Sequence, residues 1–208
     1  MSQYVKFWDK MALSYSRKPI ANEDAYNEKI RITRELLTSD MELLEFGCGT
    51  GGTALALSGD VNRIQAIDIS SKMIDIALEK AVSEKVDNVS FQNQSIDGLK
   101  VENESFDVVM GNSILHLLDN RLDVLAKIHK ILKNDGIFVS STMCIGDSLK
   151  LKLMMPFMTI GRYFGLLPSI NAFTTKDLLN ELCKAGFKIK YDWQPKKNSA
   201  IFIIANKI

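Results

Sequence analysis

Residues able to do chemistry cluster early in this 208-residue chain. The stretch LLEFGCGTGG occupies residues 43–52, and within it Gly47, Gly49 and Gly52 follow the spacing GxGxxG. Glycines at that spacing permit a tight turn and let a ligand reach the backbone. Asp68 follows Gly47 by 21 residues. An acid at the end of the next strand can accept hydrogen bonds from both hydroxyls of a ribose. Together these features point to a nucleoside-containing cofactor. Glu45 adds a carboxylate two residues before the first glycine. Further along, His116 could act as a base or orient a substrate. Tyr15 could close over the ligand, or pack against the next helix.

The elements that must position these residues alternate along the chain. Residues 4–16 and 24–38 read as helices, the second with Tyr26, Ile30, Thr33 and Leu37 on one face. MELLEF (41–46) reads as a buried strand ending at the glycines. A short helix (51–58), strand 63–68 and helix 71–86 follow, the last with Ile74, Leu78 and Ala81 facing inward and Ser70 or Ser71 as cap. Strands at 88–92 and 106–111 precede a helix at 121–133, which Asn134, Asp135 and Gly136 should stop. Strand 136–142 comes next. Thr174 and Asp177 form a capping-box pattern opening helix 175–185, and FKIKYDW and AIFIIAN read as two strands around a polar turn. Repeated strand–helix units predict an α/β fold, doubly wound, with a mostly parallel sheet and helices on both faces. Ligands on such sheets bind at the carboxyl ends of the strands near the switch point. The glycine stretch lies there.

Composition limits the reading. With 26 basic and 25 acidic residues the net charge is +1, which gives no strong nucleic-acid signal. Cys48, Cys144 and Cys183 are widely spaced and form no zinc pattern, so no metal is expected. The first residues lack the apolar core of a signal peptide, and no stretch reaches the ~18 apolar residues of a membrane span. A cytoplasmic single domain over 1–208 is the expectation, with monomer and homodimer both open.

Glu45 discriminates between cofactors. It lies in a strand expected to be buried on both faces, where an unpaired carboxylate is costly. A dinucleotide would bring a pyrophosphate to this turn, and the acid would repel it. S-adenosylmethionine would bring an ammonium and a sulfonium instead. Pairing of Glu45 with a lysine, an arginine or a helix amino end is the competing explanation.

Several stretches in order carry a family resemblance. LLEFGCGTG, AIDIS, FDVVMGNSILHLL and IHKILKNDGIFVSS, with FWDKMALSY ahead and FTTKDLLNELCKAGF behind, resemble class I S-adenosylmethionine-dependent methyltransferases of the small-molecule kind. Asn134 and Asp135 replace the usual Pro-Gly. The resemblance implies a Rossmann-like methyltransferase fold, whose seven-stranded sheet ends in a C-terminal antiparallel hairpin. It also implies S-adenosylmethionine as cofactor and S-adenosylhomocysteine as product. Carried over by position, Gly47, Cys48, Gly49 and Gly51 would admit the methionine and ribose part. Glu45 would sit under the methionine end and Asp68 would hold the ribose. Ile69 and Met73 would lie against adenine, as would Gln94, Ser95 and Ile96. Plain core packing would equally account for Met73 and Ile96. The family's acid in this last loop is displaced here to Asp97. Asn112 would approach the cofactor. His116 and Tyr15 are the candidate catalytic residues, whereas His129 should lie in its helix away from the ligand.

Residues 1–38 would form a helical lid and 145–172 a substrate-covering insertion. The insertion carries Met154, Met155, Phe157, Met158, Tyr163 and Phe164, a deformable apolar surface. A small, partly apolar acceptor fits it. Lys150, Lys152 and Arg162 could meet an anionic group or an anionic membrane surface. Nucleic-acid or protein methylation, an NAD(P)-dependent oxidoreductase and a non-catalytic cofactor-binding subunit are the rival readings. The place of the Asn/Asp-Pro-Pro-aromatic tetrad of base-directed enzymes reads Asn112-Ser113-Ile114-Leu115. No Tyr-x-x-x-Lys pair supports the oxidoreductase.

Overall fold

The computed structural model describes residues 3–149, 151, 153–154, 167 and 170–208. Of the insertion residues named above, Met154 is described. Lys150, Lys152, Met155, Phe157, Met158, Arg162, Tyr163 and Phe164 lie outside the described residues.

Strand β1 (Glu42–Phe46) is buried on both faces because it lies mid-sheet. It pairs in parallel with β2 (Arg63–Asp68) on one side and β4 (Phe106–Asn112) on the other. Strand β3 (Val89–Asn93) extends the sheet beyond β2, and β5 (Leu132–Thr142) extends it beyond β4. Strand β7 (Ile201–Lys207) runs antiparallel between β5 and β6 (Phe187–Trp193). The order is β3-β2-β1-β4-β5-β7-β6, a seven-stranded sheet with the expected closing hairpin. The order reverses between β1 and β4, so a crevice opens at their carboxyl ends.

Side chains alternate into two cores. Leu44 and Phe46 join one cluster, covered by α5 (Arg121–Ile131) and α6 (Thr175–Lys184). Leu43 joins the other, under α2 (Glu23–Arg34), α3 (Gly52–Leu57) and α4 (Ser71–Glu84). Helix α1 (Gln3–Arg17) packs against α4. No helix among the described residues is long and apolar enough to cross a membrane.

Three local expectations change. Leu78 is 45% exposed, and Ala77 is fully buried in its place. Ala77 faces the start of α3 so closely that only a small side chain fits: a Cβ on Gly51 would lie 2.9 Å from that of Ala77 and 2.7 Å from Phe91 Cζ. Helix α2 ends at Arg34, short of residue 38. Helix α5 stops at Ile131, because its last carbonyls are already engaged by the chain entering β4. Glu104 N donates to Lys130 O at 3.0 Å and Ser105 N to Ile131 O at 2.9 Å. Leu132 therefore opens β5 opposite Phe106, and the Asn134–Gly136 turn becomes a register shift inside the strand pair rather than a helix stop.

Candidate cofactor and acceptor site

The crevice holds a cavity of about 700 Å³ at the carboxyl ends of β1, β2 and β4, roofed in part by α1. Its floor is the turn after β1. Gly47, Gly49 and Gly51 have φ of +65°, +54° and +78°, a region that β-carbons disfavour. Their surroundings differ. A Cβ on Gly49 would meet only Tyr15 Cε1, at 3.7 Å, so this backbone is open to a ligand. One on Gly47 would strike Ile114 Cγ1 at 2.9 Å. Gly51 does not line the cavity; it starts α3 and packs on Phe91 and Ala77. Cys48 likewise turns inward. Its thiol is buried in the α4-side core, and burial pushes its pKa up.

Asp68 anchors the turn. Its Oδ2 accepts from Gly49 N and its Oδ1 from Ser70 N, both at 2.9 Å. Each oxygen retains acceptor capacity towards the cavity that it lines. Burial raises its pKa, the two amides oppose the rise, and Asp9 adds to it.

Glu45 sits on β1 beneath the turn, 2% exposed, and does not itself line the cavity. Its Oε2 has no hydrogen-bond partner among the described residues. Burial pushes its pKa up to about 8; the Ala54 amide opposes this and Asp68 adds to it. Of the expected alternatives, a lysine or arginine partner is not found among the described residues, whereas a helix amino end is: the Ala54 amide, in the first turn of α3, hydrogen-bonds Glu45 and leaves Oε2 alone without a partner.

Met73, Gln94, Ser95, Ile69 and Ile96 all line the cavity. Gln94 Nε2 donates to Gly98 O at 3.0 Å and Ser95 Oγ accepts from Gly98 N at 3.1 Å, which fixes this loop. Asp97 lines it too, and accepts from Asn120 Nδ2 at 2.7 Å. Asn112 ends β4 on the cavity wall with a buried, unpartnered Oδ1.

His116 lies in a turn after β4 and lines the cavity. Burial lowers its pKa to about 4, and its Nδ1 is buried without a partner. The imidazole is therefore neutral at pH 7, and its protonated form is disfavoured unless a bound ligand supplies compensating charge. Its carbonyl accepts from Asn171 N at 2.8 Å, tying the end of the 145–172 insertion to this turn. Tyr15 borders Gly49 although the whole residue is 51% exposed. Burial first, then the charges of Glu45 and Asp68, raise its phenol pKa. His129 is remote from the cavity: its Nε2 lies 3.3 Å from Ile208 O and its ring meets Phe187 edge-on.

Sequence reasoning missed part of the roof. Tyr4, Val5 and Trp8 of α1 line the cavity, as do Ile114, Leu117 and Leu118 after β4. The i, i+4 spacing of Tyr4 and Trp8 was the available signal. Hydrogen bonds hold α1 in place. Asp9 Oδ1 accepts from Ser70 Oγ at 2.6 Å, and Tyr4 OH donates to Asp119 Oδ2 at 3.1 Å. The helix thus spans the mouth from the α4 end to the β4 loop.

A model of the family described as methyltransferase domain matches residues 37–199, most of the chain. The chain belongs to that family, the class I S-adenosylmethionine-dependent methyltransferase domains. Malonyl-[acyl-carrier protein] O-methyltransferase of Bacillus cereus is 33% identical over 141 residues, covering 66% of this chain and 51% of the relative. The uncharacterized methyltransferase YcgJ of Bacillus subtilis is 29% identical over 101 residues, 49% of this chain and 40% of the relative. The crystal structure of YcgJ superposes with a TM-score of 0.73 at 16% identity, covering 87% of this chain and 98% of that one, which shows the shared fold. The chain spans about half or less of the length of these curated relatives.

Proposed function

We propose that this chain transfers a methyl group from S-adenosylmethionine to a small, partly apolar acceptor. Glu45 carries the reading. A fully buried carboxylate with an orphaned oxygen, beside an open glycine backbone, fits a ligand with a positive end. A pyrophosphate would bring no positive charge to answer this acid, and would oppose its ionisation, which disfavours a dinucleotide. When bound, S-adenosylmethionine supplies a methyl group on a sulfonium whose departure leaves a neutral thioether.

The chain's own contribution is placement. Asp68 shapes the turn and retains acceptors for ribose hydroxyls. Ile69, Met73 and Ile96 offer apolar walls to a base. Trp8, Ile114, Leu117 and Leu118 exclude water from the reacting end and suit an apolar acceptor. Neutral His116 takes a proton where the acceptor must lose one. Tyr15 closes over Gly49.

A second reading narrows the acceptor to an acid. Relatives in Bacillus cereus and Hamiltonella defensa are named malonyl-[acyl-carrier protein] O-methyltransferases. A carboxylate nucleophile is already deprotonated, so its methylation would be indifferent to His116→Gln. A hydroxyl acceptor would lose turnover in that variant without losing cofactor affinity.

Thermal unfolding with S-adenosylhomocysteine, against NAD(P) as comparison, tests the cofactor. A ligand at ~100 times its Kd stabilises by ~2.7 kcal/mol, several degrees for a domain of this size. A shift with NAD(P) alone would sink the methyltransferase reading.

A further inference from the structure

We infer that Lys29 and Ser141, at the carboxyl edge of the sheet beside Asn112, form a subsite for a ligand carboxylate. The inference rests on the methyltransferase reading and extends it to the anionic end of what binds.

Tyr26 and Lys29 are three residues apart on α2, so they share its inward face. Tyr26 hydrogen-bonds Thr53 and feels the charge of Glu45, which sets that face over the end of β1. Lys29 reaches further across the sheet and donates from Nζ to Ser141 Oγ at 2.7 Å. Ser141 is only 3% exposed and is the register partner of Asn112, the cavity residue with the orphaned Oδ1. Its carbonyl also accepts from Ser113 N, so the strand end is fixed.

The ammonium lacks an anion. Lys29 forms no ion pair with any described residue, and burial alone acts on it, lowering its pKa. One neutral hydroxyl occupies one of its three donors. The described cavity wall, meanwhile, contains Asp68, Asp97 and Asp119 but no lysine or arginine. Lys29 and Ser141 do not themselves line that wall; they lie beside Asn112 on its far side, so a ligand carboxylate that enters past Asn112 finds its counter-charge in Lys29. Two sources share this chemistry: the amino-acid end of the cofactor, whose ammonium would answer Glu45, or an acidic acceptor.

The test compares wild type with Lys29→Met, which keeps the stem and removes the charge. Titration with S-adenosylhomocysteine is set beside 5′-methylthioadenosine, which has the same nucleoside and thioether but no amino-acid end. Malonate is then added to the S-adenosylhomocysteine complex in a thermal scan. If Lys29 holds the cofactor, the variant loses about tenfold or more in S-adenosylhomocysteine affinity while 5′-methylthioadenosine binds unchanged. If it holds the acceptor, both nucleosides bind unchanged and malonate stabilises only the wild-type complex. Equal losses for both nucleosides would show a plain tether between α2 and β5 and overturn the inference, as would indifference to all three probes. Lys29→Arg, which restores the charge, should recover the lost binding; Lys29→Gln serves if the methionine variant does not fold. A wild-type protein that binds neither nucleoside removes the methyltransferase reading, and this inference with it.

Discussion

Glu45 stays protonated in the ligand-free site up to about pH 8, where an unfolded glutamate ionises near 4.5. The folded group thus binds the extra proton, and the stability it contributes at low pH is lost as pH rises towards 8. Asp68, Tyr15 and Tyr26 face it, and none supplies a positive charge. A cationic ligand end favours the ionised form, so binding releases this proton. Affinity for S-adenosylhomocysteine should therefore tighten from pH 6 to 8. Titration of Glu45→Gln should show a flat profile and weaker binding at pH 8, with a raised Tm in the absence of ligand. His116 has the opposite sense. Its folded pKa of about 4 lies below the ordinary imidazole value of 6.5, so the protein loses stability as pH falls between them. The full shift corresponds to roughly 3 kcal/mol, and His116→Gln should flatten that part of the pH–stability curve. Asp68→Ala should weaken S-adenosylhomocysteine by more than about tenfold, or 1.4 kcal/mol, in calorimetry. The glycines and Asp68 were legible because their spacing is local. That Asp68 also holds the amides of Gly49 and Ser70 was not, since it depends on where β2 ends beside β1.

Helix α6 shows how far local chemistry predicts an element. Thr174 Oγ1 accepts from Asp177 N at 3.1 Å, while Asp177 Oδ2 accepts from Thr174 N at 2.9 Å, the reciprocal cap written in the sequence. Thr174→Ala should cost about 1 kcal/mol in urea denaturation. The same helix is also pinned by a bond no local pattern reveals. Arg121 on α5 makes two hydrogen bonds to Glu181, at 2.7 and 2.8 Å, and lies over the Phe173 ring. Patterns failed where tertiary contact overrode them. The inward stripe of α4 was misplaced to Leu78 because periodicity cannot tell which of two adjacent positions meets a close neighbour. The end of α5 was misplaced because β4 competes for its last carbonyls. At α1, Asp9→Ala removes the bond to Ser70. Hydrogen exchange should then quicken along α1, and bound S-adenosylhomocysteine should dissociate faster.

On the scale of the whole molecule, the order of the strands was legible only through the family resemblance. Alternation gives a parallel sheet, but nothing local says that β7 inserts beside β5. That placement creates an asymmetry. The parallel half, from β3 to β5, is assembled from consecutive strand–helix units, whereas the closing half depends on two strands paired to each other. The strands whose ends wall the cavity, β1, β2 and β4, all belong to the first half. Variants that loosen β6 should therefore lower stability in denaturant while leaving S-adenosylhomocysteine affinity in the folded protein unchanged.

Among the described residues, strand β6 pairs with no strand except β7, and β7 comes later in the chain. During synthesis on the ribosome, residues 187–193 must therefore wait without a neighbour until residues 201–207 have left the exit tunnel. Meanwhile the edge of β5 from Ile137 to Thr142 stands open, offering its backbone to any other extended chain. A nascent polypeptide stalled before Ile201 would carry the complete glycine turn and a sticky flank together.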